Sequence, residues 1–341
     1  MEHCGIDLHT TSSEIAVIGE RGEVSEQARL ATTETSLRRW FGGRPAMVIC
    51  LEAGGQSAWA ARILQSLGHE VVVANPWRVR LIAEATLKND QVDAVTLARL
   101  VRADRRLLCP IVHRSAETQR QRGVLRARRV LVGARTACLN ASRGILRSFG
   151  IRTPAKKAAR LAARLADASI PEELVAVVAP LVQLALELDE RIEALDEQVE
   201  ALGASHPEVE LFRTVPGVGP VVALSYALCI EDPQRFARSR DLAGYLGLRP
   251  KMRESGTTSR FGRITHQGDT EMRMLLVQAA HCLLRARADS DLKRWAVGVA
   301  GRVGKQKAVV ALARKLAVVM HAMWVRGEVF RPFAKAVDAA A

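Results

Sequence analysis

Four carboxylates in the first third of the chain, Asp7, Glu52, Asp90 and Asp93, have the setting of a divalent-cation site. Asp7 follows the apolar run Cys4-Gly5-Ile6, and Glu52 closes the continuous apolar stretch 46–51, which has the length of a buried strand. A carboxylate within or at the exit of a strand is costly to bury unless a cation or hydrogen bonds compensate it. Asp7 is therefore either a metal ligand or a hydrogen-bonded structural residue. Asp90 and Asp93 are three apart and share a face of a helix whose apolar positions are Val92, Val95, Ala98 and Leu100. A plainer role exists for both, Asp90 as the helix cap and Asp93 as a solvated charge. Converging carboxylates repel one another unless divalent cations sit among them. An oxygen-only donor set suits Mg²⁺ or Mn²⁺, and two such ions roughly 3.5–4 Å apart serve in-line attack at a phosphodiester.

The elements that must position these acids follow from periodicity. Strands are predicted within the opening stretch 1–9 and over 14–18, 24–31, 46–51 and 70–74, with helices over 35–41 and 56–67, one opening at Asn75-Pro76, and one from about 90 to 104. The order βββαβα is an antiparallel meander feeding parallel βα units. It fits a ribonuclease H-like fold, in which the first and fourth strands are central neighbours and Asp7 and Glu52 project side by side. Glu14, Glu20, Glu26 and Asp104 sit where ordinary surface charges sit.

The 341 residues suffice for two domains and a further helical module. The division expected is an α/β domain over 1–110, a basic helical and coiled-coil connector over 111–205, and a helical domain over 206–341. A net charge of +14 points to a polyanion as partner, nucleic acid before an anionic membrane. No apolar run approaches the roughly 18–20 residues that span a bilayer, and no leader pattern opens the chain. The six cysteines form no CxxC pair, so they read as reduced thiols of a cytoplasmic protein, not as a zinc site.

Between residues 114 and 164, fourteen basic residues face a single acid, Glu117, so the positive field is expected to meet phosphates. Arg120, Arg122, Arg126, Arg128, Arg129, Arg135, Arg143 and Arg147 lie on helical sequence with apolar positions Leu125, Val130, Leu131 and Leu139. Phe149 is the one aromatic there, which favours backbone contact over base stacking. Next, Leu181, Ala185, Leu188, Ile192, Leu195, Val199 and Leu202 form a heptad seam, suited equally to a helical hairpin within the chain or to a coiled coil between chains. Gly217 and Gly219, before the apolar helix 221–228, make the turn of a helix-hairpin-helix unit, whose helix start can hold a phosphate. The loop 253–264 is rich in glycine and hydroxyls and flanked by Arg253, Arg260 and Arg263. On residue types alone, its Ser255, Thr257, Thr258 and Ser259 are phosphate contacts. Two further helices are expected over 271–287 and 305–324.

The runs GIDLH at 5–9, LEAGG at 51–55, ANPWRV at 74–79 and KNDQVDAVTLARL at 88–100 resemble the amino-terminal domain of the IS110/IS1111 insertion-sequence transposases. The likeness continues through Pro216-Gly217-Val218-Gly219 and Leu246-Gly247-Leu248-Arg249-Pro250, so it covers nearly the whole chain. It departs mildly at Asn89, where the family more often has Thr. The resemblance implies a Holliday-junction-resolvase-like catalytic domain with an Asp-Glu-Asp-Asp cluster, matched here by Asp7, Glu52, Asp90 and Asp93. It implies a serine nucleophile, matched by Ser255 with Ser259 as rival, that takes the DNA strand as a phosphoserine ester. It also implies donor and target DNA as partners, a structured noncoding guide RNA, and a coiled-coil connector that favours a homo-oligomer, dimer or tetramer. The expected function is thus an RNA-guided DNA recombinase. Its rivals are a resolvase-like nuclease that only hydrolyses, a sugar-kinase-like enzyme, and a non-catalytic helix-hairpin-helix DNA binder.

Overall fold

The computed structural model describes residues 1–77, 79, 90–153, 157–167, 169–255 and 258–333, with backbone alone at 90, 91, 253–255 and 258–261. Two compact units result, Met1–Ser115 and the chain from Ala116 onward.

In the first unit, β1 (His3–Leu8), β2 (Ser12–Ile18) and β3 (Val24–Ala31) form an antiparallel meander. After α1 (Glu34–Phe41), β4 (Val48–Glu52) pairs parallel with β1; after α2 (Ser57–Ser66), β5 (Glu70–Ala74) pairs parallel with β4. The sheet order is β3-β2-β1-β4-β5, so β1 and β4 are the central neighbours that the element order predicts. Helix α1 starts where the Thr33 hydroxyl accepts from the Ser36 amide at 3.2 Å. Alternation then sorts the side chains into two layers. Cys4, Ile6, Ile15, Val17, Ile49, Leu51 and Val73 pack under Leu37, Phe41, Ile63 and Leu64 of α1 and α2. On the opposite face Val48, Cys50, Val72 and Ala74 meet Leu97 and Val101 of α3 (Asp90–Asp104).

The second unit is helical: α4 (Ala116–Ser148), α5 (Ala158–Leu165), α6 (Glu172–Ala204), α7 (Pro207–Arg213), α8 (Pro220–Ile230), α9 (Leu242–Tyr245), α10 (Thr270–Arg285), α11 (Asp291–Val303) and α12 (Lys305–Arg326). The heptad seam lies on α6 and is covered by α4 of the same chain. Val178, Val182 and Ala185 share a core with Leu139 and Leu146, and Val199 shares another with Leu125. The pairs Arg128–Asp196 and Arg135–Asp189 run in opposite directions along the two helices, so this is an antiparallel hairpin. It corrects the leaning toward a seam between protomers, because the apolar stripe is already filled from within. Leu125 and Val199 also pack with the core of α8, α10 and α12, which joins the connector to the C-terminal helices in one unit.

Two further expectations change. The segment 253–264 is part of an antiparallel strand pair, β6 (Pro250–Ser255) and β7 (Thr258–Ile264), not an irregular loop. Helix α12 is long and apolar enough to cross a membrane by length and composition. Its buried Val309, Leu312, Leu316 and Met320 place it in the core of the second unit.

Candidate functional site

Four charged residues of the first unit, Asp7, Glu14, Arg29 and Glu52, form one row across the sheet. Asp7 lies opposite Glu14 on β2, and Glu14 opposite Arg29 on β3. On the other side Ile6 is level with Leu51, so Asp7 and Glu52 are the next residues of the two parallel strands. Because facing residues share a side of the sheet, Asp7, Glu14 and Glu52 all belong to the face covered by α3.

Gly5 sets how closely that helix lies. A Cβ there would stand 1.9 Å from the Ala94 carbonyl oxygen and 2.6 Å from the Ala98 amide, so the backbone of α3 rests directly on β1. The helix runs antiparallel to β1, since Arg102 near its end donates to the Glu20 carbonyl at 2.7 Å, beside the start of the sheet. Asp7 is two strand residues beyond Gly5, roughly 7 Å. Asp90 is one helical turn before Ala94, roughly 6 Å. The backbone therefore brings the start of α3 level with the ends of β1 and β4.

Individual side chains differ in setting. The Asp7 Oδ2 is 3.0 Å from His9 Nε2, with the Asp7 side chain 19% exposed. Glu14 is buried, with Oε1 3.3 Å from Arg29 Nε. It corrects the reading of Glu14 as a surface charge: alternation along β2 turns it toward the α3 face. Glu52 and Asp93 are exposed, and the Asp90 side chain lies outside the described residues. Burial first, and then the Glu52 charge, push the neighbouring Cys50 thiol up to about 12, which keeps it protonated. Among the described residues, no three His, Cys, Asp or Glu side chains are grouped to hold a metal ion. The donors that the strand ends do offer are carboxylate oxygens, the chemistry that fits a hard divalent cation.

Sequence reading missed the support beneath this row. His113 Nε2 is 3.0 Å from the buried Ser57 hydroxyl, which also takes the Gly54 amide and donates to the Gly54 carbonyl. This ties down the turn that follows Glu52. Burial, and then the charges of Arg62 and Arg114, lower the His113 pKa.

In the second unit, several of these arginines are paired with acids of neighbouring segments. Arg122 pairs with Asp269 at 2.6 Å, Arg129 with Glu271 at 3.4 Å, Arg135 with Asp189 at 2.7 Å and Arg128 with Asp196, while Arg120 pairs with Glu117 of its own helix. Arg143 donates to the Asn140 side chain at 3.2 Å, while Arg126 is exposed. Signs that do not alternate along α4 alternate between it and its neighbours. Gly217 has φ +88, and a Cβ there would stand 2.7 Å from the Ala279 carbonyl, so it lets the turn close on α10. Gly219 caps α8 with open space about it. Ser255 ends β6 in register with Thr258, while Arg253 faces Arg260 and Glu254 faces Ser259. The side chains of Ser255, Ser259, Arg253 and Arg260 lie outside the described residues, and Arg263 is exposed. Thr257 lies outside them altogether. The base of this strand pair is held by buried Arg273, which donates to the Leu246 and Gln267 carbonyls, each at 3.1 Å.

An acid-edged mixed sheet followed by a helical unit coincides with two matches to known families. Residues 4–151 match the transposase family DEDD_Tnp_IS110, and residues 209–295 match the family described as Transposase IS116/IS110/IS902. The chain is therefore a transposase, an enzyme that cuts and rejoins DNA. It is 30% identical over 342 residues to a probable family 20 transposase of Pseudomonas aeruginosa, covering 97% of this chain and 99% of that one. It is 28% identical over 340 residues to the transposase for insertion sequence element IS1111A of Coxiella burnetii, covering 96% and 90%. The transposase for IS1328 of Yersinia enterocolitica is likewise 28% identical, covering 96% and 97%. This chain belongs to the IS110 family of insertion-sequence transposases.

Proposed function

We propose that this transposase moves its insertion sequence by metal-dependent phosphodiester transfer to a serine, guided by a structured noncoding RNA. In this reading the first unit is a ribonuclease H-like, resolvase-type domain, and Asp7, Glu52, Asp90 and Asp93 hold Mg²⁺ or Mn²⁺. The observation that carries it is the register that makes Asp7 and Glu52 neighbours, with the start of α3 drawn level by the contact at Gly5. The cations would neutralise charge developing on the phosphate and favour the ionised hydroxyl.

The chain's own residues do the rest. Ser255 Oγ attacks phosphorus; its bond to phosphorus forms as the bond to the departing strand's oxygen breaks, and the serine proton goes to solvent or a neighbouring base. A strand hydroxyl then attacks the phosphoserine ester, so the backbone is rejoined with no hydrolysed end. Arg253, Arg260 and Arg263, on the strand pair that carries Ser255, would hold the phosphate. Gly219, at the start of α8, and exposed Arg126 are further backbone contacts.

Incubating the protein with element-end DNA and Mg²⁺, then denaturing, is expected to trap a protein–DNA adduct. Ser255→Ala should lose it while keeping DNA binding, and Asp7→Asn should lose at least about a hundredfold in rate with an unchanged fold. Cleavage that persists in Ser255→Ala would mean hydrolysis in place of transfer, and adduct loss only in Ser259→Ala would move the nucleophile. RNA encoded beside the gene should copurify with the protein, and its absence would remove the guide.

A further inference from the structure

We infer that the groove between α11 and α12 is a docking site for single-stranded DNA, in which an unpaired base stacks on Trp295 and the flanking phosphates meet Lys315 and Arg326. This goes beyond the proposed reading and needs neither its cation nor its serine.

Charge is the first ground. Over residues 291–326 eight basic side chains face one acid, Asp291. Two of the eight are engaged near the start of α11, Lys293 with the Ala286 carbonyl and Arg294 with Asp289 at 2.6 Å. The other six, Arg302, Lys305, Lys307, Arg314, Lys315 and Arg326, have no ion pair among the described residues. On α4 the reverse holds, since Arg122, Arg128, Arg129 and Arg135 each hold an acid. The α11–α12 pair thus keeps its positive field for a polyanion.

The second ground is an apolar bed beside those cations. Trp295 of α11, Val319 and Met323 of α12, and Val329 and Phe330 beyond it line a groove of about 600 Å³. Its last wall is pinned: the Asp291 amide donates to the Pro332 carbonyl at 2.9 Å, and the Phe330 amide to the Thr214 hydroxyl at 2.9 Å. Lys315, Val319, Ala322 and Arg326 are spaced four, three and four apart, so they form one stripe of α12. Exposed cations therefore stand at its two ends, roughly 16 Å apart along the axis. The Trp295 ring is 38% exposed, with Lys315 Nζ 5.1 Å from its centroid. An aromatic plate in an apolar bed between two cations suits a strand whose base faces are free; a duplex hides those faces, and an acidic peptide has none to stack. A transposase acts on DNA, and strands that leave one partner for another must unpair on the way.

Fluorescence anisotropy of the full-length protein with a labelled oligothymidylate tests this without any turnover. Trp295→Ala should weaken binding about 5- to 150-fold, the worth of stacking one base, and Trp295→Phe should keep most of the affinity. An abasic strand of the same length, and a duplex, should bind wild type and Trp295→Ala equally. Lys315→Ala and Arg326→Ala should each reduce the log–log salt slope by about 0.7. Oligothymidylate affinity unchanged in Trp295→Ala, a loss shared by the abasic strand, or salt slopes unmoved by both charge variants overturns the proposal. So does an oligouridylate that binds more tightly and loses more in Trp295→Ala, which would give the groove to RNA. A change of oligomeric state in Trp295→Ala, read by light scattering, would give it to a second copy and overturn the proposal as well.

Discussion

A few polar side chains, buried or half-buried, govern the local order of each unit, and two of them make separable predictions. His113 is held below the usual imidazole range by burial and by Arg62 and Arg114. A histidine harder to protonate folded than unfolded contributes stability that is present above the unfolded pKa, about 6.5, and lost as pH falls toward the lower folded value. His113→Gln should therefore flatten the loss of thermal stability between about pH 6.5 and 5, read by melts across that range. Arg273 satisfies two carbonyls at the foot of the β6–β7 pair. Arg273→Met would leave the buried Leu246 carbonyl without that donor and should cost about 1–3 kcal/mol, measured by urea unfolding. Neither role was legible in the sequence. His113 has no motif, and Arg273 reads as one more arginine in a basic chain until the loops around it are folded.

Elements carry the larger share of the energy. Gly5→Ala would place a methyl 1.9 Å from the Ala94 carbonyl and lift α3 off β1. It should destabilise the first unit by about 1–3 kcal/mol, and on the proposed reading should abolish cleavage as well, since Asp90 and Asp93 ride on that helix. In the α4–α6 hairpin, magnitudes decide between seam and charge. The pairs to Asp196 and Asp189 are part-exposed, and such pairs are worth about 0–1 kcal/mol each. Leu139 is buried against Val178 and Val182, and its truncation to Ala should cost about 2–5 kcal/mol. Thermal melts should accordingly drop for Leu139→Ala and barely move for Arg128→Gln combined with Arg135→Gln. The seam itself was readable from heptad spacing. Its partner was not, because the same stripe fits a helix from either chain.

Over the whole molecule, the net charge of +14 is distributed less freely than the sequence suggests. DNA affinity should fall with salt, with a log–log slope of about −0.9 per phosphate neutralised. If exposed Arg126 meets a phosphate, Arg126→Ala should reduce that slope by about one. Arg135, already bound to Asp189, should leave it unchanged when replaced; binding isotherms at several salt concentrations distinguish the two. What the sequence determined by itself is local and periodic: the five strands and their order, the heptad seam, the basic stretch and the acids at strand ends. These are set by alternation and by side-chain type, which act over a few residues. The tertiary structure decided what depends on distant segments meeting. It buried Glu14 beside Asp7, laid α3 on Gly5, closed the seam within the chain and paired the arginines with acids. Register and burial are properties of two segments at once, and no single segment encodes its neighbour.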